Sequence, residues 1–191
     1  MISNLAANNN EPYKTEIIDG KKIIMMSPAL SNHNLVRNRV FGIFESYLRN
    51  NICLPFIDGD KLVLEENGYV LPDVFIVCDR SKFKRDGVYG APNLVIEVLS
   101  ASTRRYDRGD KKDLYERSGI GEYWLIEPEL KSIEVFIHDD SGRYKLDNVY
   151  GIPDEYESEE DKIKIPQEIK TGLFPDLVIK LEEIFENVQK W

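Results

Sequence analysis

Residues 93–128 read NLVIEVLSASTRRYDRGDKKDLYERSGIGEYWLIEP, and the order of signals within them sets the fold class. Residues 94–99 are apolar except for Glu97, the pattern of a strand buried on both faces. A helix is expected from Thr103, a suitable N-cap, to about Ser118, with Gly119 as its C-terminal stop. Gly109 weakens that helix by about 1 kcal/mol relative to alanine, so its first turn is expected to be irregular. Residues 122–127 then read as a strand, and strand, crossover helix and strand together imply at least one parallel pair. Upstream, residues 69–77 read as another strand, apolar on both faces except for Asp73. Isolated carboxylates on two buried strands are costly unless they are paired or hold a cation.

The flanking chain supplies the rest of the architecture. Residues 15–26 alternate around Asp19-Gly20, a strong hairpin signal. After Ser27-Pro28, residues 31–49 carry Leu35, Val36, Val40, Ile43, Phe44, Tyr47 and Leu48 at the spacing of an amphipathic helix that packs on a sheet. Residues 61–64 read as a short strand, Glu66-Asn67-Gly68 as a turn and residues 81–92 as a basic loop. Residues 133–138 and 144–149 read as strands, 154–161 as an acidic loop and 181–188 as a terminal helix. The expectation is one α/β domain over residues 1–191: a mixed central sheet flanked by helices, an N-terminal hairpin extension, and residues 1–12 as a flexible tail.

Composition narrows the class. The chain has 191 residues, 42% hydrophobic and 31% charged, enough for a sizeable core and unlike a disordered segment. No run approaches the roughly 18 apolar residues of a membrane span. The opening MISNLAANNN lacks the basic start and apolar middle of a signal peptide, so no membrane and a cytoplasmic location are expected. Cys53 and Cys78 have apolar neighbours and no CxxC spacing, which favours free thiols over a disulfide or a zinc site. A net charge of −9 opposes nucleic-acid binding by a uniformly basic surface. Yet residues 80–117, which include Glu97 and Lys111, carry ten basic against six acidic groups. That segment is either a local field for a polyanion or a solvated face.

If the strands of Asp73 and Glu97 lie side by side, the carboxylates repel until a divalent ion fills the gap. Mg²⁺ wants hard oxygen ligands and keeps several waters, so two acids and a substrate phosphate suit it. Asp107, Lys111 and Tyr115 stand at i, i+4 and i+8, one stripe of a helix that can lie over the strand ends. Lys111 there would orient or deprotonate a water, or neutralise transition-state charge. The plainer readings are an Asp107–Lys111 surface pair, Lys112 in place of Lys111, and Glu97 paired with Arg104 or Arg105. His33 reads as a group that binds a phosphate or activates water, or as a structural histidine at a helix start, and Glu16 as a third acid or, better, an exposed strand residue. Tyr123 and Trp124 read as core, and Ser100 and Ser102 lack the elbow and histidine of a serine hydrolase.

Pro72-Asp73, Glu97-Val98-Leu99-Ser100, Ser102-Thr103, Asp107, Lys111, Tyr115, Gly119 and Glu122-Tyr123-Trp124, in this order, resemble the Uma-type family of restriction endonuclease-like proteins. That family is a branch of the PD-(D/E)XK nuclease superfamily. Glu16-Ile17-Ile18-Asp19-Gly20, Met26-Ser27-Pro28 with His33, and Gly172-Leu173-Phe174-Pro175 extend the resemblance over nearly the whole chain. It implies a restriction endonuclease-like core and Mg²⁺-dependent phosphodiester hydrolysis, with Mn²⁺ as a substitute. Asp73 matches the motif's aspartate and Glu97 its second acid, with the Val98 carbonyl as a further metal ligand. Leu99 stands where the E-X-K signature has lysine, and Lys111 on the following helix matches the displaced lysine.

The reading is therefore a Mg²⁺-dependent DNA endonuclease with Asp73, Glu97 and Lys111 as its site, acting as a homodimer so that two sites meet two strands. The alternative is a non-catalytic oligomeric module on a nuclease scaffold, favoured by the acidic charge and the missing strand lysine. A two-carboxylate glycosidase is the weakest reading, because aromatic cleft signals are missing.

Overall fold

The computed structural model describes residues 14–25, 30–153 and 155–189. The expected tail over 1–12, Met26-Ser27-Pro28 and Asp154 lie outside them. Strands β1 (Lys14–Ile18) and β2 (Lys21–Met25) form the expected hairpin across Asp19-Gly20, followed by helix α1 (Ser31–Tyr47). Then come β3 (Leu54–Ile57), β4 (Leu62–Glu65), β5 (Gly68–Val70), β6 (Val74–Val77), β7 (Phe83–Lys84), β8 (Gly87–Tyr89) and β9 (Leu94–Val98). The crossover helix runs through α2 (Arg104–Tyr106), a π turn (Asp107–Lys111) and α3 (Lys112–Arg117). Finally, β10 (Glu122–Glu127), β11 (Ser132–His138) and β12 (Tyr144–Gly151) precede α4 (Glu159–Lys164), β13 (Glu168–Lys170), β14 (Val178–Lys180) and α5 (Leu181–Phe185).

The central sheet has the order β12-β11-β10-β9-β6-β3, with β9 and β10 parallel and the other neighbours antiparallel. A second mixed sheet, β2-β1-β5-β4-β8-β7, and a small β13-β14 ribbon complete the set. Strand alternation divides the core in two. Val74, Ile76, Leu94, Ile96, Val98, Trp124 and Ile126 pack toward Val36, Val40 and Phe44 of α1 and Leu181 and Ile184 of α5. Phe75, Val77, Val95, Tyr123 and Leu125 pack on the opposite side, against Leu114 and Tyr115 of α3 and Ile18, Leu62, Val70 and Val88 of the second sheet. Each such buried side chain contributes roughly 1.5–3 kcal/mol. One flank of the central sheet is thus helical, and the other combines the crossover helix with a sheet.

Glu122 joins two distant motifs. Its Oε1 accepts the Trp124 indole N–H at 2.7 Å, and its Oε2 accepts the Leu173 amide at 3.3 Å. The Gly172-Leu173-Phe174-Pro175 segment is thereby fastened to the start of β10.

Several expectations are corrected. Residues 69–77 are not one strand: β5 and β6 belong to different sheets, because Pro72 lacks the N–H that a continuous ladder needs. The loop over 81–92 contains β7 and β8, and the acidic stretch contains the start of α4, capped by Ser158 accepting from the Asp161 amide. The terminal helix stops at Phe185, since Glu186 is non-helical and Asn187 has φ 58°. Thr103 is the N-cap residue as expected, without a side-chain bond to a helix amide, but the first turn is regular α and the irregularity comes after it, as the π turn that contains Gly109. No helix among the described residues is long and apolar enough to cross a membrane.

The free-thiol reading is also overturned. Edge strand β3 pairs Leu54 with Val77 of β6, which sets Cys53 opposite Cys78, and the two form a disulfide. The bridge spans 25 residues of sequence, a loop whose closure stabilises the folded chain by about 3 kcal/mol. Urea unfolding with and without a dithiol reductant should show a lower midpoint in the reduced protein; coincident midpoints would contradict this.

Candidate active site

The site follows from the alternation of β9. Leu94, Ile96 and Val98 face the α1 layer, so Glu97 faces the crossover helix. The antiparallel register pairs Val74 with Ile96, which brings Asp73, one residue before β6, beside Glu97. The Asp73 amide donates to Glu97 Oε2 at 3.3 Å, and the Val98 amide donates to Asp73 Oδ2 at 2.9 Å. These crossed bonds hold the two acids together on neighbouring strands.

The stripe Asp107, Lys111 and Tyr115 converges on the same point. Lys111 Nζ lies 3.0 Å from Glu97 Oε1, 3.1 Å from Glu16 Oε1 and 3.6 Å from Asp107 Oδ1. The Tyr115 hydroxyl donates to Glu97 Oε1 at 2.7 Å. Asp107 and Lys111 bound the π turn, a helical irregularity that recurs at functional sites. The Tyr123 hydroxyl steadies that turn by donating to the Asp107 carbonyl at 2.9 Å. From the first turn of α1, His33 Nε2 stands 3.2 Å from Asp73 Oδ2.

Glu16 is not the exposed strand residue expected. β1 pairs with β5, and this lays the hairpin over the site and buries Glu16 completely. The Leu71 amide donates to Glu16 Oε1 at 2.6 Å, while Oε2 is buried with no hydrogen-bond partner. The plainer readings of the lysine and arginines also fail. Lys112 lies over the Phe136 ring at 3.8 Å, and Arg104 pairs with Glu127 at 2.9 Å. Sequence reasoning missed Asp58, whose amide donates to the Asp73 carbonyl at 3.0 Å and whose carboxylate pairs with Arg37. The only available signal was an Asp-Gly-Asp following the apolar run LPFI.

Four acids thus face one lysine and one histidine. Burial pushes the Glu97 carboxyl well above its ordinary value; Lys111 opposes this, but Asp107, Asp73 and Glu16 reinforce it. Burial likewise raises Asp107 to about 6 against the pull of Lys111 and a Thr103 hydrogen bond. For Asp73 burial also acts upward, yet the His33 hydrogen bond and charge and the Val98 amide outweigh it and the carboxyl is lowered. Burial acts downward on Lys111, but Glu16, Glu97, Asp107 and Asp73 hold the amine well above its ordinary range.

The signs give a pH dependence. Asp107 contributes stability that is fully present below its unfolded value near 3.8 and is lost as pH rises through about 6; Glu97 acts in the same direction. Asp73 acts oppositely, with stability lost only as pH falls through its lowered value. Lys111→Met removes the central cation and should destabilise the metal-free protein by about 3–5 kcal/mol at about pH 8. The deficit should shrink at about pH 5, where the raised acids gain protons. Denaturant unfolding at both pH values checks this; an equal deficit would mean lost packing rather than unpaired charge.

The family model Uma2, described as "Putative restriction endonuclease", matches residues 3–179. An uncharacterized protein of Synechocystis sp. is 31% identical over 137 residues, covering 71% of this chain and 72% of the relative. A second from the same organism is 28% identical over 118 residues, covering 60% and 66%. Among solved structures, one titled as a putative nuclease belonging to DUF820 from Anabaena variabilis shares the fold. Its TM-score is 0.66 at 18% identity, over 90% of this chain and 89% of that one. The family match takes in the hairpin with Glu16, the acids Asp73 and Glu97 and the whole crossover helix, and the chain belongs to the Uma2 family of restriction endonuclease-like proteins.

Proposed function

We propose that the chain is a Mg²⁺-dependent DNA endonuclease, with Asp73 and Glu97 as metal ligands and Lys111 as the compensating cation. The observation that carries this reading is the excess of carboxylate in the buried cluster: Glu16, Asp73, Glu97 and Asp107 against Lys111 and His33. A hard cation fits such a donor set, and the unpartnered Glu16 Oε2 adds an unused oxygen. Asp73, Glu97 and the Val98 carbonyl would hold it. Bound there, Mg²⁺ would polarise a phosphoryl oxygen and lower the pKa of a water ligand.

The protein's own groups prepare that site. Tyr115 and Lys111 both bond Glu97 Oε1, fixing the rotamer and leaving Oε2 on the Asp73 side. His33 and the Val98 amide fix Asp73 through Oδ2. Lys111 keeps its proton at neutral pH, so of the two roles open to it, it stabilises negative charge rather than acting as a base. Lys111 is only 2% exposed and bonds Glu97 Oε1, so it acts through that carboxylate.

The second reading, a non-catalytic module, is favoured by that same enclosure: among the described residues Lys111 already occupies the centre of the acids, and no three metal-binding side chains stand ready as a cage. Titration calorimetry separates the two. Mg²⁺ or Mn²⁺ should bind the wild type and not Asp73→Asn; silence at millimolar metal would favour the module. Purified protein should nick plasmid DNA with either ion, and Asp73→Ala or Glu97→Ala should lower the rate at least roughly 100-fold. Equal nicking by wild type and variants would contradict the assignment. Cutting both strands takes two sites, so the proposal includes a homodimer; sedimentation showing only monomer at micromolar concentration would oppose it.

A further inference from the structure

We propose that Lys14, Arg37 and Asp58 form a phosphate-binding subsite for the DNA backbone beside the acid pair, with the Asp58 carboxylate standing in for a phosphate in the free protein. This rests on the endonuclease reading and extends it to how substrate is held.

Arg37 lies one turn beyond His33 on α1, and residues four apart share a helix face. His33 reaches Asp73, and Arg37 reaches Asp58 Oδ2 at 2.7 Å. Lys14 stands two residues before Glu16 on β1, on the same side of the strand, and its ammonium bonds both Asp58 oxygens. The Asp58 amide in turn donates to the Asp73 carbonyl at 3.0 Å. The subsite is therefore joined to the acid pair through one main-chain bond, and its two cations arrive on the two elements that also carry His33 and Glu16.

Its charge balance differs from the surroundings. Arg104 pairs with Glu127 and Arg108 with Glu134, one to one, and Lys111 is outnumbered by acids. Around Asp58, two cations share one carboxylate. That local surplus of positive charge lies at the rim, where the Lys14, Arg37 and Asp58 side chains are 46%, 14% and 16% exposed. One guanidinium nitrogen of Arg37, its other two held by Asn38 Oδ1, and the Lys14 ammonium suit the oxygens of a phosphodiester as well as those of a carboxylate. The Lys14 end of this cluster is exposed and such pairs are weak, so a backbone phosphate arriving from that side can compete with Asp58 for the two cations. In a chain of net charge −9, such a point is where approaching DNA would be drawn.

The test is fluorescence anisotropy of a short labelled DNA duplex with the full chain in EDTA, so that nothing is cleaved, across a salt series. Lys14→Ala and Arg37→Ala should each weaken binding severalfold and flatten the log–log salt dependence, the double variant by about 0.9 for the one phosphate lost. Asp58→Asn should tighten binding severalfold, because it removes the competing charge. Thermal melts report folding; if Arg37→Ala is unfolded, Arg37→Gln replaces it, and Lys14→Ala and Asp58→Asn still decide. Unchanged slopes in the lysine and arginine variants, or weaker binding by Asp58→Asn, would overturn the subsite while leaving the endonuclease reading intact. No duplex binding by the wild type even at low salt would overturn both.

Discussion

One buried ammonium group governs the arrangement of this protein. Lys111 gathers Glu97 from the central sheet, Glu16 from the hairpin and Asp107 from its own helix, all within ion-pairing distance. Each of these carboxylates would be costly to bury alone. The ammonium offsets part of that cost, and the raised Glu97 and Asp107 values show that the offset is incomplete. The crossover helix, the hairpin and the strand are thereby constrained to meet at one place. The π turn lies in this segment: Asp107 and Lys111 bound it, and the neighbouring Arg108 clamps Glu134 on β11 with two hydrogen bonds.

An acid cluster short of counter-charge is a poor choice for stability alone, and apolar residues of similar volume often do as well. Its retention in a core otherwise filled by valine, isoleucine and aromatic side chains makes functional sense where something positive is to be received. On the proposed reading the surrounding devices serve that end. His33 and a main-chain amide settle Asp73, a tyrosine settles Glu97, and Asp58 braces the turn that leads into β6. Electrostatic preorganisation of this sort costs folding energy in order to be ready for charge that arrives later.

Much of this was legible in the sequence, for identifiable reasons. Glu97 within an apolar run, and Asp107, Lys111 and Tyr115 at helical spacing, are local signals, and the structure brings them together as read. The parallel β9–β10 pair followed from the crossover helix read between the two strands. What was hidden depended on pairing between distant segments. Glu16 looks like an exposed residue of an alternating hairpin until β5 is known to lie beside β1. Cys53 and Cys78 look like free thiols until the unforeseen β3 aligns with β6. The break at Pro72 separates two apolar runs that periodicity alone joins into one, because a proline's missing donor matters only once the sheets are known.

On the proposed reading, Asp73 and Glu97 jointly hold a divalent cation beside Lys111. Crystals soaked in Mn²⁺ test it most directly through anomalous scattering. An anomalous peak should appear within bonding distance of both carboxylates and be absent in Asp73→Asn. A saturating soak that leaves the space between those acids empty, or that places manganese only elsewhere, would contradict it.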